Sequence, residues 1–87
     1  MSFFHIFTTV YEFSHIIRTM IIGKRIKELR TENKVSQKKL AEAIGVDKRA
    51  VIYWEQEVNE PKATYIKNIA EYFGCTSDYL LGLTDFF

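Results

Sequence analysis

SQKKLAEAIGVDKRAVIYWEQ, residues 36–56, divides into two short helical patterns on either side of one glycine. Ser36 is a good N-cap for the first, in which Leu40, Ala41 and Ile44 share an inward face. Gly45 supplies the left-handed residue that stops it. Asp47 caps the second, in which Ala50, Val51 and Trp54 make the inward stripe and Val46 fills the wedge between the two. A small residue at Ala41 lets two helices approach closely at a sharp angle, and a turn of three or four residues containing glycine is what a helix-turn-helix requires.

The outward face of the second pattern follows from the inward one. Lys48, Arg49, Ile52, Tyr53 and Gln56 stand at i, i+1, i+4, i+5 and i+8 and so share one stripe. Arginine and lysine donate to guanine O6 and N7, an apolar group such as Ile52 meets a thymine methyl, and glutamine pairs with adenine. The expected partner is therefore double-stranded DNA, with residues 47–56 as the recognition helix in the major groove. The helix before it presents open backbone amides at Gln37 and Lys38, which with the side chains of Lys38 and Lys39 form a site for a phosphate.

Working outward, Ile22, Ile26 and Leu29 form a helical stripe that the turn-like Asn33-Lys34 ends. Glu57 to Pro61 reads as a loop, with Pro61 near the first turn of the next helix. Ile66, Ile69, Ala70 and Phe73 line that helix before Gly74. Thr76 caps a short last helix carrying Tyr79, Leu80 and Leu83, with Gly82 near its end. Upstream, Phe3, Ile6, Phe7, Val10, Phe13, Ile17 and Met20 recur at spacings of three and four. Residues 1–20 thus read as an apolar N-terminal extension, helical by spacing, with a strand as the rival reading because aromatic and β-branched residues abound. Residues 21–87 form the folded unit. Polar residues interrupt every apolar run well short of a membrane span, and the start lacks the basic residues and cleavage site of a secretory signal.

Composition bounds the function. A chain of 87 residues supports one modest core. The net charge of +1 hides an asymmetry: nine basic residues oppose four acidic ones between Gly23 and Arg49, whereas two oppose six from Ala50 onward. Such a split aims a positive face at an anionic polymer. Cys75 is the sole cysteine, which suits a reducing cytoplasm and removes disulfides and cysteine-rich zinc sites. His5 and His15 lack acidic or cysteine partners at ligand spacing, so no metal or other cofactor is expected. No nucleophile-base pair or glycine-rich phosphate loop is present, and an enzyme is not expected.

The run from Ile22 to Asp85 resembles the Cro/C1-type helix-turn-helix domain, the XRE family of phage and bacterial regulators. The matching pieces are IGKRIKELR (22–30), SQKKLAEAIGV (36–46), Trp54-Glu55, Glu60-Pro61 and TSDYLLGLTD (76–85). The resemblance implies an all-α, five-helix lambda-repressor-like bundle that binds operator DNA as a homodimer, in a phage-type or mobile-element repressor. It implies that the amide of Gln37 lies near phosphate, that Lys48, Arg49 and Tyr53 face bases, and that Arg30 pairs with Glu55. The chain departs from the family in the loop after Glu55, where the usual glycine is replaced by Glu57 and the neighbours are acidic. Glu57 and Glu60 weaken DNA binding if they face the backbone. The second reading is accordingly a protein-interaction or antitoxin-like module with weak DNA binding, meeting a partner through the apolar N-terminal segment or the Tyr79 to Phe87 end.

Overall fold

The computed structural model describes residues 3–86, with side chains from Ser14 onward. Five helices follow one another: α1 Phe3–Glu32, α2 Gln37–Ile44, α3 Lys48–Glu55, α4 Ala63–Phe73 and α5 Ser77–Leu81. No strand occurs among the described residues. The backbone of α1 is helical without a break at residues 20–21, so the upstream stretch and the Ile22–Ile26–Leu29 stripe lie on one helix of 30 residues. The side chains of Phe3, His5, Ile6, Phe7, Val10 and Phe13, and all of Phe87, lie outside the described residues.

The caps follow from local chemistry. Ser36 and Thr76, both extended, accept from the amides of Lys39 and Tyr79, and Asp47 accepts from Arg49. Each side chain thereby satisfies one of the amides a helix start leaves open. At the other end of α2, Gly45 adopts φ 79°, and both its amide and that of Val46 donate to the Ala41 carbonyl. A residue with a Cβ is strained in this left-handed conformation, so glycine is what permits α3 to turn back across α2. After α1, Lys34 takes the same region at φ 56°. Pro61 is buried one residue ahead of Lys62, the N-cap of α4, which makes no side-chain capping bond.

A single core unites the helices: Ile22, Ile26 and Leu29 of α1 meet Leu40, Ala41 and Ile44 of α2, Val51 and Trp54 of α3, Ile66, Ile69 and Ala70 of α4, and Leu80 of α5. Trp54 packs on Tyr65, with ring centroids 5.9 Å apart, and belongs to the core rather than to the outward stripe. Burying each of the larger aliphatic side chains contributes about 1.5–3 kcal/mol against chain entropy. Leu83 corrects one expectation. It lies beyond Gly82, past the end of α5, and is 73% exposed, so the last helix carries Tyr79 and Leu80 but not Leu83.

Gly23 sits where α1 crosses the end of α3. A Cβ built there would lie 2.2 Å from the carbonyl oxygen of Trp54. The absent side chain sets the closeness of that crossing. No helix among the described residues is long and apolar enough to cross a membrane.

Candidate nucleic-acid interface

The site begins with the partly buried pair that fixes α1 against α3. Arg30 donates from Nε to Glu55 Oε2 at 2.7 Å and from Nη2 to Glu55 Oε1 at 2.9 Å, while Nη1 reaches the Val35 carbonyl at 3.0 Å. Hydrogen bonding to Glu55 raises the Arg30 pKa above its ordinary value, against the opposing effect of burial. The Glu55 side chain is only 5% exposed. Gln37, the first residue of α2, donates from Nε2 to the same Glu55 Oε1 at 3.2 Å. Three helices are thus locked at one carboxylate, and the pairing of Arg30 with Glu55 that the resemblance implied is present.

Above this lock lies an open cleft of ≈ 520 Å³ lined by Lys27, Arg30, Ser36, Gln37, Lys38, Lys48, Glu55 and Gln56. Arg30 and Glu55 neutralise each other at its base, so Lys27, Lys38 and Lys48 leave it positive. The start of α2 opens beside it, where the amides of Gln37 and Lys38 precede the first intrahelical bonds and Ser36 Oγ takes the amide of Lys39. Oriented amides and lysines together favour an anion here.

The outward stripe of α3 is accessible. Lys48, Arg49, Tyr53 and Gln56 are exposed and Ile52 is half-buried, while Val51 and Trp54 on the opposite face are buried. Tyr53 is 40% exposed. Asp47 spends one carboxylate oxygen on the Arg49 amide at 2.8 Å and acts as a cap. Gln37, Lys38, Lys48 and Gln56 share the cleft; Lys39, Arg49, Ile52 and Tyr53 are not among its lining residues.

Sequence reasoning missed Lys27. It counted only among the basic residues of α1 that could reach flanking phosphates and was not named as a site residue, yet it lines the cleft opposite α2 and α3. Arg25, by contrast, turns the other way. Its guanidinium donates to the carbonyls of Tyr79 and Thr84, pairs with Asp85 and lies 4.3 Å from the Tyr79 ring centroid. That arginine ties α1 to α5 and is not placed for phosphate.

The acidic loop after α3 is held by α1. Glu60 receives Arg18 Nε at 3.0 Å and Nη2 at 2.9 Å, with Thr19 Oγ1 at 3.5 Å. The Arg18 hydrogen bonds hold its carboxyl below the ordinary glutamate range. Half of the loop's negative charge is therefore matched within the chain. Glu57 remains exposed with φ 64°, in the left-handed conformation that favours glycine. Glu57→Gly is expected to raise stability by about 0.5–1 kcal/mol, relief of backbone strain outweighing the added freedom of the unfolded chain. Thermal unfolding measures this as a rise in Tm of about 3–6 °C.

Cys75 is half-buried, and burial pushes its thiol pKa up. Among the described residues no group of histidine, cysteine and carboxylate side chains is arranged to hold a metal ion.

Comparison with known proteins places this geometry in context. A helix-turn-helix family model matches residues 26–80. The repressor protein C2 of Salmonella phage P22 is 31% identical over 65 residues, covering 75% of this chain and 30% of that protein. The HTH-type transcriptional regulator YobD of Bacillus subtilis is 34% identical over 62 residues, covering 71% of this chain and 55% of the relative. The chain thus spans between about a third and about a half of these curated relatives. Among solved structures, the P22 c2 repressor in complex with a synthetic operator superimposes with a TM-score of 0.66 at 32% identity, over 69% of this chain and 91% of that one.

Proposed function

The chain belongs to the Cro/C1-type helix-turn-helix family, and from that premise we propose that it is a sequence-specific double-stranded DNA-binding regulator of transcription, a phage-type or mobile-element repressor acting in the cytoplasm by binding rather than catalysis. The observation that carries the reading is the positive cleft of Lys27, Lys38 and Lys48 beside an exposed α3 face bearing Arg49 and Tyr53. In this reading α3 enters the major groove. Lys48, Arg49, Ile52 and Tyr53 meet base edges, and Gln37, Lys38 and Lys39 with Lys27 engage phosphates. Residues 21–87 do the reading, and residues 1–20 form an extension with a separate task. A two-fold dimer places two α3 helices about 34 Å apart, and the operator is a pseudo-palindrome with half-sites one turn apart. The P22 c2 repressor bound to its operator supports this use of the fold.

Selection from random duplexes tests it. The wild-type chain is expected to enrich one pseudo-palindromic site. Arg49→Ala is expected to weaken that site by about 10–100-fold, the worth of one good base contact. Lys38→Ala is expected to weaken all sequences alike and to reduce the salt dependence of binding by about one phosphate contact. Failure to enrich any sequence at low salt overturns the reading.

The alternative, a protein-interaction module of antitoxin type, draws on the acidic loop and the apolar ends of the chain. The Arg18–Glu60 pair weakens its first support, because that charge is matched within the chain. Capture of a stoichiometric protein partner with no DNA shift favours it.

A further inference from the structure

The described apolar residues of α1 ahead of Ile21, namely Ile16, Ile17 and Met20, point away from their own bundle. At 100° per residue, Ile17 and Met20 stand about 180° around the helix from the buried Ile22, Ile26 and Leu29. They are 39% and 48% exposed, and Ile16 beside them is 57% exposed. The face turned toward the bundle is polar instead, with Thr19 buried and Arg18 bound to Glu60. Among the described residues only the 57–60 loop approaches this apolar side, lining a groove with Ile16 and Met20 and leaving both exposed.

The sequence says what kind of surface would. Met20, Ile17, Phe13, Val10, Ile6 and Phe3 are separated by three, four, three, four and three residues, an unbroken a and d register on a continuous helical backbone. This 3.5-residue period is that of a left-handed coiled-coil seam. The flanking positions, Phe7, Thr9, Ser14 and Ile16, carry no charge. Such a seam has no e or g charges to select a different chain, and a copy of itself meets no opposed like charges. The register stops at Lys24 and Lys27, the next a and d positions, so the seam ends where the DNA-facing part of α1 begins. Six apolar residues from each of two chains bury on the order of 1,000 Å², which reaches the lower limit of a specific interface.

We infer that residues 3–20 of α1 form a two-chain coiled coil with the same segment of a second copy, and that this seam holds the dimer together. The inference names the contact surface for the dimer in the proposed function but does not depend on DNA reading. Sedimentation equilibrium of the full chain without DNA, at about 50 μM, tests it. The wild type is expected at twice the 10.2 kDa chain mass, and the Ile17→Glu, Met20→Glu double variant at the chain mass. The variant should keep the wild-type Trp54 fluorescence, since both positions are exposed in the single chain. As a second probe, Ile17→Cys is expected to oxidise to a covalent dimer at least tenfold faster than Leu83→Cys, although Leu83, off the seam, is the more exposed of the two sites. A monomeric wild type, a double variant that remains dimeric, or equal rates for the two cysteine variants overturns the inference. None of these results bears on whether α3 reads DNA, which the selection experiment decides separately.

Discussion

Replacing Gly23 with alanine is expected to destabilise the protein by about 3 kcal/mol or more, a large share of what a domain of this size has. In an isolated helix the same change adds about 1 kcal/mol of stability, because alanine is the better helix former. Packing reverses the sign. The new methyl would stand 2.2 Å from the Trp54 carbonyl oxygen, a backbone atom at the end of α3 that already accepts from the Glu57 amide. A flexible side chain would swing aside, but this atom moves only with α3. Relief therefore requires α1 and α3 to separate, which opens the contacts of Ile22 and Ile26 with Val51 and Trp54. Denaturant unfolding followed by Trp54 fluorescence measures the effect, and Lys24→Ala, one position along and exposed, should lie within about 0.5 kcal/mol of wild type. A neutral or stabilising Gly23→Ala would show that the helices do not cross this closely.

Arg30→Met carries the second large effect, an expected loss of about 3–5 kcal/mol. The substitution keeps the aliphatic bulk and removes the guanidinium, leaving the Glu55 carboxylate buried with Gln37 as its remaining donor and the Val35 carbonyl without its Arg30 bond. A charge so placed keeps most of its desolvation cost after its partner has gone. Adding Glu55→Leu to Arg30→Met should recover more than half of the loss, because the penalty comes from an unmatched charge rather than from a large net attraction. Equilibrium unfolding of the two single variants and the double gives the coupling directly. Costs that simply add would contradict the account.

The parts of the fold legible in the sequence are those governed by neighbours in the chain. Ser36, Asp47 and Thr76 cap helices through atoms two or three residues away, and Gly45 turns the chain through its own φ. The inward stripes of α2, α3 and α4 follow from period, and the outward position of Lys48, Arg49 and Tyr53 follows from them. What escaped notice depends on partners distant in sequence. Gly23 carried no signal in the sequence until Trp54 stood against it. Arg25 counted only as one of the nine basic residues between Gly23 and Arg49 until α5 placed two carbonyls on it, and Glu60 counted as an unmatched charge until Arg18, 42 residues earlier, reached it. Lys27 entered the site only when α2 and α3 folded over the same side of α1. Leu83 failed for a different reason: period alone extends a helix through Gly82, whose φ of 80° ends it.

The uninterrupted course of α1 makes it a rigid lever as well as a packing element. Its upstream end and the α1–α3 crossing at Gly23 share one hydrogen-bonded rod, so their relative azimuth is fixed by the number of residues between them. Inserting one alanine between Met20 and Gly23 would advance the upstream arm by about 1.5 Å and twist it by about 100°. It would carry Arg18 out of line with Glu60, and the upstream apolar face would no longer look away from the bundle. Seven inserted residues would restore the azimuth to within about 20° while lengthening the arm by about 10 Å. Spacing along this rod is thus a gear setting between whatever grips its far end and the α3 helix packed against its other end.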